Sequence, residues 1–290
     1  MKNAESKTRR PTVSFIVTCY NHADILKVSL ESMLAQKTPP DEIIVADDGS
    51  TDETFEVTRA LRRQTSIPLI HVWSKDEGFR LNHSRNNALA VATGAYVVVS
   101  DGDCFFGPNF IEDHVDAARP GQMVGGKRIQ VQADRRDYIL RTGNRRITFF
   151  TPGVSRRRYT IRSRVLSKLT SQTRTAVSFP STWEGYLKVV GANMAFWRAD
   201  AVKVNGFDER YVGWGYDDVD FIVRLMRSGV DWRCVRFGAV VYHFAHDSRA
   251  SECLEARERC LDACRRPDFR IPDEFGLARA LAEGPERIER

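Results

Sequence analysis

Along the first hundred residues, short apolar runs alternate with longer stretches in which apolar side chains recur every three or four positions. The runs have the length and β-branched content of buried strands, and the stretches between them have the period of amphipathic helices. Residues 13–18 predict a strand ending at Cys19-Tyr20-Asn21-His22. Ile25, Leu26, Leu30, Met33 and Leu34 predict the helix that follows, and Pro39-Pro40 ends it. A second strand, residues 42–46, ends in Asp47-Asp48-Gly49-Ser50-Thr51-Asp52-Glu53, where Ser50 and Glu53 have the spacing of a capping box for a helix running to about Arg63. Residues 67–73 predict a third strand, residues 82–93 a helix stopped by Gly94, and residues 96–100 a fourth strand. Strand and helix in strict alternation predict an α/β fold with a doubly wound, mostly parallel sheet.

Beyond residue 124 the periodicity weakens. Residues 125–180 read as an inserted or partly mobile segment, and an ordered apolar pattern resumes at 185–196. A short helix starts at 199–202, a longer one opens within 213–221 and runs to about Gly229, and residues 231–235 and 239–242 read as a strand pair. The tail from Ser248 is helical to Arg266, then polar and loosely attached after Pro272. The expected division is a polar lead-in (1–10), a first half (11–124), a basic inserted segment (125–180), a second half (181–247) and a helical tail (248–290).

Composition adds little for this chain of 290 residues, 42% hydrophobic and 28% charged. No apolar stretch approaches the eighteen or so residues of a membrane span. The charged N-terminus lacks the apolar core of a signal peptide, so a cytoplasmic protein is the default expectation. Charge is more informative. Residues 127–174 carry fourteen Lys or Arg against two Asp, a balance of +12 in a chain whose net charge is +6. That segment is open to three readings: a solvated loop, a contact with anionic lipid or a phosphorylated glycolipid, or a nucleic-acid surface in which aromatics interleave with basic residues. Cys19, Cys104 and Cys234 fall in strand contexts that suit buried thiols. Cys253, Cys260 and Cys264 share a helical face near His243 and His246, which leaves a zinc site or a buried helix face.

The candidate chemistry lies at strand ends. Residues 97–100 lead into Asp101-Gly102-Asp103, with no basic residue within six positions on either side. Gly lets the backbone turn and both carboxylates point off the sheet edge, where open α/β sheets bind ligands. Such a pair suits a hard divalent cation carrying substrate phosphates, and it also suits a plain Asp-Gly hairpin turn. Thr18 and Asn21, Asp47 and Asp48, and Asp76 and Glu77 end the other strands, which together predict a nucleotide cleft. The absence of a GxGxxG or Walker loop argues against a dinucleotide enzyme or a P-loop ATPase. A second constellation, Gly213-Trp214-Gly215-Tyr216-Asp217-Asp218-Val219-Asp220, sets three acids in the first turn of a helix. The helix dipole alone favours acids there, but it does not account for the preceding Gly-Trp-Gly loop, which suits the covering of a substrate. Neighbouring acids face different directions and can divide general-base work from acceptor binding. His243 and His246, three apart after a strand, are candidate further metal ligands.

These motifs resemble family 2 glycosyltransferases. Val17-Thr18-Cys19-Tyr20-Asn21, Asp47-Asp48-Gly49-Ser50-Thr51-Asp52, Arg85-Asn86-Asn87-Ala88 and Asp101-Gly102-Asp103 look like the nucleotide-sugar half. Gly191-Ala192-Asn193-Met194-Ala195-Phe196, Gly206-Phe207-Asp208 and the residues from Gly213 to Asp220 resemble the acceptor half of β1,4-galactosyltransferases and chondroitin-polymerase modules. The resemblance implies a single-domain α/β fold of the GT-A type and a metal-dependent inverting transferase, with a nucleotide sugar of the UDP type as donor. The acceptor would be a glycan or a lipid-linked glycan of surface polysaccharide or lipopolysaccharide, at the inner face of the membrane. It implies Thr18, Tyr20 and Asn21 at the nucleoside, Asp47 or Asp48 at the base or ribose, and Arg85 against the nucleotide or diphosphate. Asp101 would contact the ribose or the metal's waters, Asp103 would ligate Mn²⁺ or Mg²⁺, and His243 or His246 would be a further ligand. Asp218 would be the general base, needing no large shift from its reference pKa, with Asp217 binding the acceptor and Trp214 as the mobile-loop aromatic. The chain departs from the galactosyltransferase pattern Gly-Gly-Glu-Asp in having Gly215-Tyr216-Asp217-Asp218, and the basic segment has no counterpart. A non-catalytic sugar-nucleotide or glycan-binding module is the alternative expectation. A processive membrane synthase is disfavoured for want of an apolar span.

Overall fold

The computed structural model describes residues 10–174, 191–213, 215–245, 254–266 and 269–290. The first half builds as its periodicity predicts. Strands β1 (Val13–Cys19), β2 (Glu42–Asp47), β3 (Leu69–Trp73) and β4 (Tyr96–Asp101) alternate with helices α1 (Ala23–Leu34), α2 (Asp52–Arg62) and α3 (Leu81–Val91). They lie side by side as β3-β2-β1-β4, all parallel. Both faces of this sheet are covered, which is why its strands are continuous apolar runs. In β1, Phe15 and Val17 pack with Leu26 and Leu30 of α1, while Ile16 joins the opposite cluster with Ala88 and Leu89 of α3.

After β4 come β5 (Cys104–Phe106), α4 (Phe110–Ala117), β6 (Gln122–Gly125), β7 (Lys127–Val131), α5 (Ala133–Thr142), α6 (Arg164–Thr170), β8 (Gln172–Arg174), β9 (Met194–Trp197) and α7 (Arg198–Lys203). The chain closes with α8 (Asp217–Arg227), β10 (Asp231–Cys234), β11 (Val240–Phe244), α9 (Leu254–Arg265), α10 (Leu277–Glu283) and β12 (Arg287–Glu289). The large sheet extends from β4 through β9, β6, β10 and β8, with β9 antiparallel to β4 and to β6. A separate small sheet, β5-β11-β7, stands at the end of β4.

Four expectations need correction. Residues 231–235 and 239–242 are not a strand pair: β10 joins β6 and β8 in the large sheet, and β11 joins β5 and β7 in the small one. The tail is not loosely attached after Pro272. Leu277 and Ala280 are buried, and β12 adds an antiparallel edge to β3, tied by Glu289 to Arg59 at 2.7 Å. The capping box does not form, because the Ser50 hydroxyl instead accepts the Asn21 N–H at 2.9 Å. The basic segment is not a plain insertion either, since β7 and β8 belong to the two sheets. Cys19, Cys104 and Cys234 are free thiols, and Cys260 is wholly buried against the α8 side of the core. Cys253, His246 and the Cys264 side chain lie outside the described residues, among which no cluster of three or more His, Cys, Asp or Glu is arranged to hold a metal.

Candidate active site

β1 and β4 are neighbours in register, so Thr18 sits beside Asp101, and its hydroxyl donates to Asp101 Oδ1 at 3.3 Å. Gly102 permits the approach: a Cβ there would lie 2.4 Å from the Thr18 carbonyl. The turn carries Asp103 onto the small sheet, where its carbonyl accepts the Phe244 N–H. Its Oδ2 faces His243 Nε2 at 3.1 Å. The other ring nitrogen of His243, Nδ1, lies 2.9 Å from Oε1 of Gln130, its register partner on β7. With Nδ1–H donating to that amide oxygen, Nε2 presents its lone pair on the side of Asp103, the arrangement that suits a metal-ligating imidazole. Asp103 and His243 therefore fit a divalent cation as two protein donors, and such a site is completed by oxygens of a phosphorylated substrate. Asp101 faces Thr18 and Arg85 instead of joining that pair, and burial pushes its carboxyl up.

Arg85, on the buried face of α3, links the two halves. One guanidinium nitrogen donates to Asp217 at 2.5 Å, the other reaches Asp101 at 3.5 Å, and the plane lies 5.1 Å from the Phe207 ring centroid. Burial works against its charge, but Asp217, Asp101 and Asp218 outweigh that and raise its pKa. Arg85 is thus turned inward, 2% exposed, as a bridge between the acid clusters.

Asp217 and Asp218 open α8 behind Tyr216, which takes the left-handed conformation at φ 65°. Asp218 Oδ2 accepts the Gly191 N–H at 2.7 Å and Oδ1 the Val219 N–H at 2.8 Å. A side chain at Gly191 would meet Asp218 at 2.9 Å, so glycine is what allows this bond. Burial, and then the neighbouring Asp217 charge, push the Asp218 carboxyl up to about 7, partly offset by Arg85 and the two N–H donors. The expectation that Asp218 stays near its reference value is corrected. Its environment poises it at neutral pH, where a general base works best. The third acid of this turn, Asp220, is structural: it pairs with Arg224 at 2.6 Å inside the core, and Arg224 holds the Val204 and Gly206 carbonyls.

The structure does not bring every expected residue to the cleft. Asp47 is wholly buried, with Oδ2 on His71 at 2.7 Å and Oδ1 accepting the Ser50 N–H. Asp48 accepts the Arg80 N–H at 2.8 Å and the Ser84 hydroxyl at 2.9 Å, fixing the start of α3. Asn21, at φ 51°, uses its side chain to hold the Thr51 N–H. These three secure loops at the strand ends. Tyr20 is different: its ring is half exposed and its hydroxyl donates to Asp76 at 3.0 Å. Trp214 and His246 lie outside the described residues. Sequence reasoning assigned no role to Gln130 or Gly191. Gln130 gives no signal until β7 is seen beside β11, and Gly191 was visible only as part of a motif.

Residues 14–175 match the family model described as glycosyl transferase family 2. The chain belongs to that family. Residues 172–247 match a second model, the N-terminal domain of galactosyltransferase. Among curated relatives, chondroitin synthase of Escherichia coli is 27% identical over 80% of this chain and 34% of its own length. Validoxylamine A glucosyltransferase of Streptomyces hygroscopicus subsp. limoneus is 27% identical over 76% of this chain and 49% of its own. The chain thus spans half or less of the length of these relatives. Among solved structures, the mannosyltransferase PcManGT from Pyrobaculum calidifontis, in complex with GDP-Man and Mn²⁺, superimposes with a TM-score of 0.57 at 22% identity, covering 94% of this chain and 70% of that one. The likeness is one of fold, and the mixed α/β architecture expected of a GT-A protein is the one observed.

Proposed function

We propose that this protein is a metal-dependent inverting glycosyltransferase that moves a sugar from a nucleotide donor to a hydroxyl of a glycan or lipid-linked acceptor. The observation that carries the reading is Arg85, one buried guanidinium shared by the strand-end acid Asp101 and the helix-start acid Asp217. It couples a phosphate-and-cation side to a base side in one small volume. Thr18 and the exposed ring of Tyr20 border the donor, with Asp101 beside them. Asp103 and His243 would hold Mn²⁺ or Mg²⁺, with Gln130 fixing the His243 tautomer. When bound, the cation neutralises charge on the departing diphosphate.

Asp218 takes the proton from the acceptor hydroxyl as its oxygen attacks the anomeric carbon and the bond to the diphosphate breaks. Attack opposite the leaving group inverts the configuration, giving a β-linkage from an α-linked donor. Asp217, held by Arg85, orients the acceptor, and Trp214 would cover it. The relatives named as chondroitin synthase and validoxylamine A glucosyltransferase support a glycan or glycoside acceptor. We take the donor to be a UDP-sugar and the product a surface polysaccharide or lipopolysaccharide, made at the inner face of a membrane. Among the described residues no helix is long and apolar enough to cross one.

The test is Mn²⁺-dependent cleavage of a panel of nucleotide sugars, followed by transfer to acceptors, with wild type and Asp218→Asn. One donor should be cleaved, EDTA should stop the reaction, and the variant should bind that donor without transferring it. Nucleotide binding with no metal-dependent cleavage of any donor would mark a binding module and overturn the proposal.

A further inference from the structure

The basic segment contains an amphipathic helix turned the wrong way for a water-facing surface. In α6, Val165, Leu166 and Leu169 fall within one arc of the helix, yet none of its residues is buried, and Val165 and Leu169 are 67% and 75% exposed. The polar side is what holds the helix down. Arg164 pairs with Glu112 at 2.8 Å and Asp116 at 3.0 Å, and Arg162 pairs with Glu112 and Asp113 at 2.7 Å, so α6 is pinned to α4. Ser163 caps it by accepting the Leu166 N–H. A second exposed apolar feature lies in the same basic segment. The rings of Phe149 and Phe150 pack edge to face at 5.3 Å on a loop tip, with Phe150 84% exposed. Ile147, two residues before that tip, and Thr160 and Arg162, just ahead of α6, line one cavity of about 380 Å³, which brings the two stretches of chain together.

We propose that α6 and the Phe149-Phe150 tip form a docking surface that seats on an anionic phospholipid bilayer. Charge complementarity identifies the occupant. Residues 138–174 contain ten Arg or Lys and no Asp or Glu, and Arg156, Arg157, Arg158 and Lys168 of that segment are exposed. Apolar side chains that enter the acyl boundary, ringed by cations at headgroup level, are the two components of interfacial binding. A nucleic acid would use the cations and the rings, but it has no use for exposed Val165 and Leu169, since aliphatic side chains do not stack on bases. The proposal extends the reading of a lipid-linked acceptor given above, and vesicle binding is read without turnover, so the two fail separately.

The experiment is co-sedimentation of the full chain with vesicles of phosphatidylcholine alone and of phosphatidylcholine with phosphatidylglycerol. Binding is expected to the anionic vesicles, weakening as salt rises. Val165→Ser/Leu169→Ser and, separately, Phe149→Ser/Phe150→Ser should each lower the partition coefficient by about tenfold or more, because the lost methylenes no longer enter the acyl region. Thermal midpoint and acceptor-free donor cleavage should be unchanged in both. Leu169→Met, which keeps the apolar volume, should bind as wild type does. Wild type that ignores anionic vesicles, or serine variants that bind them fully, would overturn the proposal. So would retention of a single-stranded oligonucleotide in place of vesicles.

Discussion

The chain carries two pairs of adjacent aspartates, and the structure treats them in opposite ways. Asp47-Asp48 ends β2 and Asp217-Asp218 begins α8. At the first pair each carboxylate meets donors that build the scaffold, most of them from neighbouring elements: His71 and the Ser50 N–H on Asp47, Ser84 and the Arg80 N–H on Asp48. At the second, Asp217 is given to Arg85, while Asp218 keeps only two backbone donors and the like charge of its neighbour. The same residue types are therefore held differently. Burial pushes up both Asp48 and Asp218, but hydrogen bonds from Arg80 and Ser84 and the Arg80 charge oppose it at Asp48, while the like charge of Asp217 adds to it at Asp218. A carboxylate satisfied by donors of neighbouring elements ties those elements together; a buried one that feels the like charge of another acid is poised to take a proton.

The comparison breaks most readily at Asp218. Asp218→Asn keeps the shape and the helix-start hydrogen bond but removes the basic oxygen, so kcat for transfer should fall by about 10²–10⁴. Donor affinity by calorimetry should hold. At the other pair, His71→Ala should cost stability instead, about 3–5 kcal/mol in urea unfolding, because Asp47 is left buried without its partner. The turnover of the folded fraction should be close to wild type. A His71→Ala protein that is stable but inactive would place Asp47 in the chemistry after all.

An intermediate effect is expected at Gln130, which touches neither pair. Gln130→Leu removes the acceptor from His243 Nδ1 and frees the ring to change tautomer. Mn²⁺ affinity, titrated in the presence of nucleoside diphosphate, should weaken by about 10- to 100-fold. Unchanged Mn²⁺ affinity would remove His243 from the cation site.

What could be read in advance follows the same division. β1 to β4 and α1 to α3 were legible because their burial is written as local period, and both faces of the sheet are covered. Asp103 and Asp218 stood out because a strand end and a helix start are local features too. Pairing is not local. Nothing between residues 231 and 244 says that β10 and β11 join different sheets, and a three-residue edge such as β12 has no period to detect. Gln130 and His243 are 113 residues apart and meet only through the register of the small sheet. The structural contacts of Asp47 and Asp48 were hidden for a related reason: their partners His71 and Ser84 come from other elements.

The smallest expected effect tests the like charge of Asp217 itself. If Asp218 must be ionised to accept the hydroxyl proton, kcat/KM should rise with pH along a limb near 7, the value to which burial and Asp217 push it. The charged groups facing Asp218 are Asp217, which raises its pKa, and Arg85, which lowers it. Asp217→Asn removes the first and releases the second from its ion pair. Both changes favour the ionised base, so the acidic limb should move to lower pH while the residual rate falls from poorer acceptor placement. A limb that stays put, or moves to higher pH, would show that Asp218 is not under the influence of its neighbour, and the contrast between the two aspartate pairs would then rest on position alone.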